Sequence, residues 1–495
     1  MEHDIAGGDY EPFWVGFPLA NIHECIAPDI LHQLYQGVLK HLISWVQLLI
    51  GQKELDERIR KLPPTSGVRH FSKGISSLSQ VSGTERKHIA RILLACLVGK
   101  LDSRGITACR AILHFIQLAQ YPSHDQDTLR YMEQELNTWH KNRDYFIDKE
   151  AREHFNIPKF HSLLHYVDSI QWIGATDNSN TEAFERLHID FAKEGWRASN
   201  KRDHFPQMIL FVSRQEKISS FDFYQSWVQI PHEEQVLDSP GEQEQILEEE
   251  SSVSDDSSPI VVSLSKYPTE PQKTLSSIAI LHEAPGFLTS LKLFLNDFLP
   301  KKSPPPTRNE VINGLIPFNT LEVWHSFRLT PLKVLDEPET VIIKARPLSG
   351  ASSTPRYDTV IVLENDKAES TAVQGCRAAR IRVIFRLPQK VNKKGFIVNG
   401  PANWPQEPLA YVTWFTRFKS APDKATGMYR IEPAVASNGI PQGAVIPLSN
   451  IRQNCMLVPA QQVWDTSWTA DNILDRCSSF FVNNMQSKYS YQTIY

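Results

Sequence analysis

Asp29, His32 and Gln36 recur at i, i+3 and i+7 in IHECIAPDILHQLYQGVLKHLISWV (residues 22–46), a stretch whose other positions are mostly apolar. At helical spacing these three side chains form one polar stripe on a greasy surface. Two kinds of chemistry fit a carboxylate and an imidazole placed so. Asp29 can complement the helix dipole after Pro28, with His32 satisfied locally. Alternatively, Asp29 is a metal-binding carboxylate held at a helix start.

Two further constellations carry chemistry-bearing types. In PKFHSLLHYVD, His161 and His165 stand at i and i+4, so on a helix both rings point the same way and suit zinc or another structural partner. A zinc site would need two more ligands, and the sequence has no CxxC to supply them. In DNSNTEAFERLHIDFAKEGWRASNKRD (177–203), Ser179 to Glu182 fits a capping box, which explains Glu182 structurally. Glu185, one turn on, has no such explanation. Phe184, Leu187 and Phe191 are the expected core face, while Glu185 shares another side with His188. Lys193, Arg197, Lys201 and Arg202 follow as a basic tail, suited to helix-end charges, a solvated face or phosphate contacts.

The elements that must position these residues fall into three regions. Residues 1–225 are mostly helical, with periodic apolar runs at Asp29–Ile50, Glu85–Val98, Ile106–Ala119, Asp127–Asp148, Asn180–Gly195 and near Phe205–Glu216. Residues 226–350 form an acidic, then Pro-rich linker region with a helix candidate at 287–298. Residues 351–495 are β-rich: YDTVIVLEN, RIRVIFRL, LAYVTWF, GMYRIEP, AVIPLSNI and NCMLVP are short runs between turn signals, expected to build a small β-barrel or sandwich. The fold class is therefore α+β, in several domains.

Composition narrows the setting. The six cysteines form no CxxC and read as reduced thiols. The first residues contain no apolar signal region, and no apolar run is long enough to span a bilayer, so an intracellular protein with no membrane partner is expected. The net charge of −4 hides an asymmetry: residues 233–256 hold ten acids and no Lys or Arg, and without them 52 cations face 46 acids. That balance permits nucleic-acid binding without requiring it.

The blocks IHECIAPDILHQLYQGVLKHLISW, REHFNIPKFHSLLHYVDSI and NTEAFERLHIDFAKEGWRASNKRD, with LPPTSGVRHFSKGISSLSQVSGTERK (62–87), GCRAARIRVIFRLP and AVIPLSNIRQNC, resemble the transposase of Plavaka elements. These are basidiomycete DNA transposons related to the KDZ and CACTA groups. The resemblance implies an RNase H-like core, with a helical insertion, whose Asp-Asp-Glu triad holds two Mg²⁺ (or Mn²⁺) ions for strand cleavage and transfer. A metal pair of that kind clamps the attacking and leaving oxygens at phosphorus. PDILH matches a second triad Asp followed by His three residues later, which implicates Asp29 and His32. The HxxxH element corresponds to His161 and His165. The final Glu falls on Glu185, with Glu182 as runner-up. The CxxC that accompanies HxxxH in some relatives is missing, which counts against bound zinc.

Implied partners are DNA, as transposon ends or chromatin, and other copies of the chain, in the nucleus. The basic tail, Lys193 to Arg202, would meet the DNA. The first triad Asp and an N-terminal zinc-finger region have no counterpart upstream of Asp29, where Asp4 and Asp9 lie in no strand-like run. An incomplete, N-terminally truncated catalytic core with little activity of its own is therefore expected. The alternative is a non-catalytic DNA- or chromatin-binding protein that retains the scaffold. The β-rich end resembles a BAH-like module, with Trp404, Trp414 and Phe415 expected as core or edge aromatics.

Overall fold

Pro28 bars the chain from continuing the short Ile22–Cys25 turn, and Asp29 then caps a helix that runs to Ile50 in two windings. Over Ile30–Val38 the turns are wide, with the N–H of Leu39 reaching the carbonyl of Leu34, five residues back. From Leu39 to Ile50 the winding is ordinary. The wide turns bring Gln33 and Gly37 into the buried set beside Ile30, Leu34 and Val38, and leave Gln36 at the surface. Gly37 lets the crossing Pro158–His161 turn approach closely: a Cβ there would stand 3.0 Å from both the His32 carbonyl oxygen and the Lys159 side chain, which would have to give way.

The computed structural model describes residues 11–12, 14–19, 21–228, 260–299, 305–335, 338–348, 354–365, 368–369, 371–393 and 396–495. Asp4, Asp9 and the acidic run 233–256 lie outside them.

Helices Gly83–Leu97 and Ser103–Leu118 form the centre of the helical half. Each starts on a side-chain cap, Ser82 with Glu85 in a reciprocal box and Asp102 on the N–H groups of Arg104 and Gly105. Around them pack the first helix, Gln52–Lys61 and Gln126–Asn142. Trp45 stacks on Trp139 at 6.4 Å and on Phe160 at 5.3 Å between ring centroids, closing the far end.

All six strand-like runs of the C-terminal part are strands. The largest sheet runs Gly443–Pro447, Leu409–Trp414, Cys376–Arg386, Thr320–Trp324, Glu270–Thr274, with Thr359–Leu363 and Ile451–Asn454 branching from it. Residues 260–348, expected as part of the linker region, instead supply two of its strands. They also supply strands Val261–Ser263, Ser326–Thr330 and Val341–Arg346 of a second sheet. One face of the large sheet packs on that second sheet through Phe327, Leu329, Ile343, Ile381 and Ile384. The other face is covered by helices Leu275–Leu281 and Phe287–Asn296, through Ile278, Phe287 and Leu291 against Val383, Phe385 and Tyr411. A bulge at Arg382, skipped between the Ile381–Val412 and Val383–Tyr411 pairs, switches the inward face along the central strand.

The expected barrel is not formed: among the described residues no sheet order closes on itself. Twist is absorbed by bulges and by covering both faces with helices and a second sheet, so the edges need not meet. Trp404 and Phe415 are buried, consistent with core aromatics.

Helices and sheets share one hydrophobic core. Leu93, Leu97 and Ile112 belong to the same buried cluster as Met456, Val458, Phe480 and Ile494. Arg58 pins the two parts together. Wholly buried, it donates to the carbonyls of Cys96 (3.2 Å), Val98 (2.6 Å) and Gln462 (2.9 Å), and lies 4.8 Å from the Trp464 ring centroid. No described helix is long and apolar enough to cross a membrane.

Candidate active site

Asp29 is held from several sides. Its Oδ2 accepts from the His32 N–H at 2.6 Å and lies 2.7 Å from His32 Nδ1. Its Oδ1 accepts from the Thr181 N–H at 3.0 Å, from the start of a helix more than a hundred residues away. The buried Tyr166 hydroxyl donates to the Asp29 carbonyl at 3.2 Å. Burial raises the pKa of the Asp29 carboxyl, yet the backbone bonds from Thr181 and His32 and the side-chain bonds from the same residues outweigh it. The net pKa lies below the ordinary carboxylate value.

His32 joins this acid to a second one. Its Nδ1 faces Asp29, with Thr181 Oγ1 also at 3.0 Å, and its Nε2 lies 2.7 Å from Glu185 Oε1. One imidazole thus bridges two carboxylates that stand 156 positions apart in the chain. Donating from both ring nitrogens requires the protonated ring. The cluster opens to solvent on the Glu185 side, where that side chain is 46% exposed against 16% for Asp29. The wide winding of Ile30–Val38, a feature that often marks functional sites in helices, carries His32. A second wide segment, Ile189–Lys193, follows the Thr181–His188 helix that carries Glu185.

The other candidates stand apart. Glu182 is drawn to Lys87 Nζ at 2.6 Å. Its helix is capped by Asn180, which accepts from the Glu182 N–H, and not by the expected Ser179, whose hydroxyl turns to backbone carbonyls instead. His161 and His165 are exposed, with their Nε2 atoms 3.4 Å apart. Among the described residues no third ligand joins them within metal range. Phe184, Leu187 and Phe191 do not form a core face. They are 60%, 43% and 52% exposed, because the segment from Thr181 to Val228 lies on the outside of the helical core. Lys193, Arg197, Lys201 and Arg202 are all exposed beyond Glu185. Thr181 and Tyr166, which hold Asp29, have no signal in the sequence, since each acts through a contact made only on folding.

Residues 1–46 match the family model described as Plavaka transposase. The match covers the N-terminal segment alone. The matched segment carries Asp29 and His32, and Glu185 reaches them from outside the match. No curated protein and no solved structure matches the chain.

Proposed function

We propose that Asp29, His32 and Glu185 form the catalytic centre of a transposase-derived protein that cleaves and transfers DNA strands in the nucleus. The observation that carries this is the His32 imidazole holding two sequence-distant acids at one half-open spot. Hard divalent cations such as Mg²⁺ or Mn²⁺ take carboxylate oxygens, and both acids offer them. Bound there, such an ion would polarise a phosphoryl oxygen and activate a water. Glu185 has an oxygen to give. Asp29 already accepts three hydrogen bonds, so it chiefly orients His32, and His32 keeps the two like charges from repelling each other. Lys193, Arg197, Lys201 and Arg202, all exposed, would meet backbone phosphates. The helices carrying the acids would be the flanking elements and insertion of an RNase H-like core, and the sheet-rich end a BAH-like module for chromatin.

A specific observation favours a second reading, a DNA- or chromatin-binding protein without catalysis. Among the described residues Asp29, His32 and Glu185 do not bring their ligand atoms within 4.8 Å of one another, since the imidazole stands between the two acids, whereas a two-metal centre needs several converging oxygens. The readings separate in a titration with Mn²⁺ followed by magnetic resonance, run beside a nicking assay on supercoiled DNA. The catalytic reading expects Glu185→Ala and Asp29→Ala to weaken Mn²⁺ binding about tenfold or more, Glu182→Ala to leave it intact, and any nicking to follow the metal. Unchanged Mn²⁺ binding in both variants, with salt-sensitive DNA binding retained and no nicking, establishes the second reading instead.

A further inference from the structure

Outside the Asp29 cluster, three ligand-type atoms converge with nothing to bond. Glu270 lies at the start of the Glu270–Thr274 strand, His282 ends the Leu275–Leu281 helix, and His325 sits between Thr320–Trp324 and Ser326–Thr330. Glu270 Oε2 is 3.8 Å from the Nε2 of His282 and 3.8 Å from the Nε2 of His325. That is too long for a hydrogen bond. All three atoms are buried, and none has a hydrogen-bond partner. Buried polar atoms are nearly always satisfied, so three orphans aimed at one point call for an occupant.

The surroundings orient them for a cation. His282 is wholly buried, and its Nδ1 lies 2.9 Å from the Arg382 carbonyl, so Nδ1 carries the proton and Nε2 presents its lone pair. That carbonyl is free because the bulge at Arg382 drops it from the strand ladder. A ring nitrogen fixed by a backbone carbonyl is the usual outer support of a metal-bound histidine. Glu270 Oε1 is taken by Lys273 Nζ at 3.1 Å, which leaves Oε2 for the centre. The left-handed backbone at Gln272 (φ 55°) and Glu283 (φ 52°) brackets the site, a strain that the local fold keeps where the chain must turn Glu270 and His282 inward.

We infer that Glu270, His282 and His325 bind one divalent transition-metal ion of the zinc class. Two imidazoles and one carboxylate are a nitrogen-rich donor set that suits Zn²⁺ and not Mg²⁺ or Ca²⁺. Ligand atoms about 2.0–2.2 Å from a tetrahedral ion stand roughly 3.3–3.6 Å apart, so the observed spacing closes with a shift of a few tenths of an ångström. The fourth position falls to water. The ion would clamp the edge strand, the helix end and the Thr320–Thr330 hairpin to the central strand through Arg382. Its charge also offsets the Glu270 carboxylate, so Lys273 need not remain on it. This inference is independent of the Asp29 centre.

The test is cobalt titration of the full chain, freed of metal beforehand, read by visible absorption and by metal content per chain. The expected result is one tetrahedral Co²⁺ displaced by Zn²⁺, present in Asp29→Ala, Glu185→Ala and His161→Ala. It should be lost in Glu270→Gln and His325→Gln, both conservative changes at partly exposed positions whose folding is checked by circular dichroism. No cobalt bound by the wild type, or an unaltered spectrum and stoichiometry in the folded Glu270→Gln and His325→Gln proteins, overturns the site.

Discussion

The two imidazole–carboxylate clusters of this chain are built in opposite ways. At Asp29–His32–Glu185 nearly every acceptor and donor is engaged: the ring bridges two acids, and Thr181 and the His32 backbone take up the rest of Asp29. At Glu270–His282–His325 the inner atoms are buried and engage nothing. The first is self-sufficient, half-open and suited to admit a ligand by exchanging partners. The second is incomplete as it stands. Residue type alone therefore says little about metal binding. What decides is where the lone pairs are left facing after folding.

Arg58 joins the helical part to the sheet part, and its loss has the largest expected effect. Arg58→Ala leaves the carbonyls of Cys96, Val98 and Gln462 without their donor, while Glu54 keeps Lys100 at 2.8 Å, and is expected to cost about 3–5 kcal/mol. Urea unfolding followed by tryptophan fluorescence checks this, and two separated transitions would show the helical and sheet parts coming apart. Next in size is the effect of zinc. A free-ion concentration a hundred times the dissociation constant stabilises the wild type by about 2.7 kcal/mol, and this gain is absent from His325→Gln. Differential scanning calorimetry with and without zinc measures it.

Paired substitutions sharpen the contrast further. His32→Ala removes the bridge and leaves two carboxylates facing each other, at an expected loss of about 1–3 kcal/mol. His325→Phe in metal-free protein removes an orphan and is expected to be neutral or slightly stabilising. Denaturant midpoints give both signs, and a large loss in His325→Phe would mean that the orphan is satisfied after all.

The smallest effect at neutral pH belongs to a control, His114. This ring is buried beside Glu135, with Nδ1 3.6 Å from the carboxylate, Arg110 on the same helix and Tyr491 edge-on. Its Nε2 is also an orphan, but no second imidazole joins it. Burial, helped by Arg110, pushes its pKa down to about 3. Below about 6.5 the unfolded chain takes up a proton that the folded one refuses. The stability contributed at this position is thus full above about 6.5 and is lost progressively toward about 3. His114→Phe should flatten that acid slope in stability measured by denaturant titration, while cobalt binding stays unchanged.

Much of this architecture was legible in the chain. The period of apolar residues located the main helices, and β-branched runs between turn residues located the C-terminal strands, because both signals arise from local geometry. The Asp29–His32 pair was visible for the same reason, as neighbours on one helical turn, and Glu185 stood out by having no local duty. Failure came where burial depends on a partner element. Phe184, Leu187 and Phe191 have perfect helical spacing, yet the helix that carries them lies outside the core. The barrel failed because strand counting does not say whether edges close.

What the sequence determined by itself was the set of local conformations and the residue types available for chemistry. Only the tertiary structure decided which of them meet. Nothing in the spacing of Glu270, His282 and His325 forms a motif, since they are joined by a strand pairing, a helix end and a bulge. Contacts across long loops cost little extra chain entropy per added residue, so the fold can gather such groups from almost any separation. For that reason, linear distance carries almost no information about them.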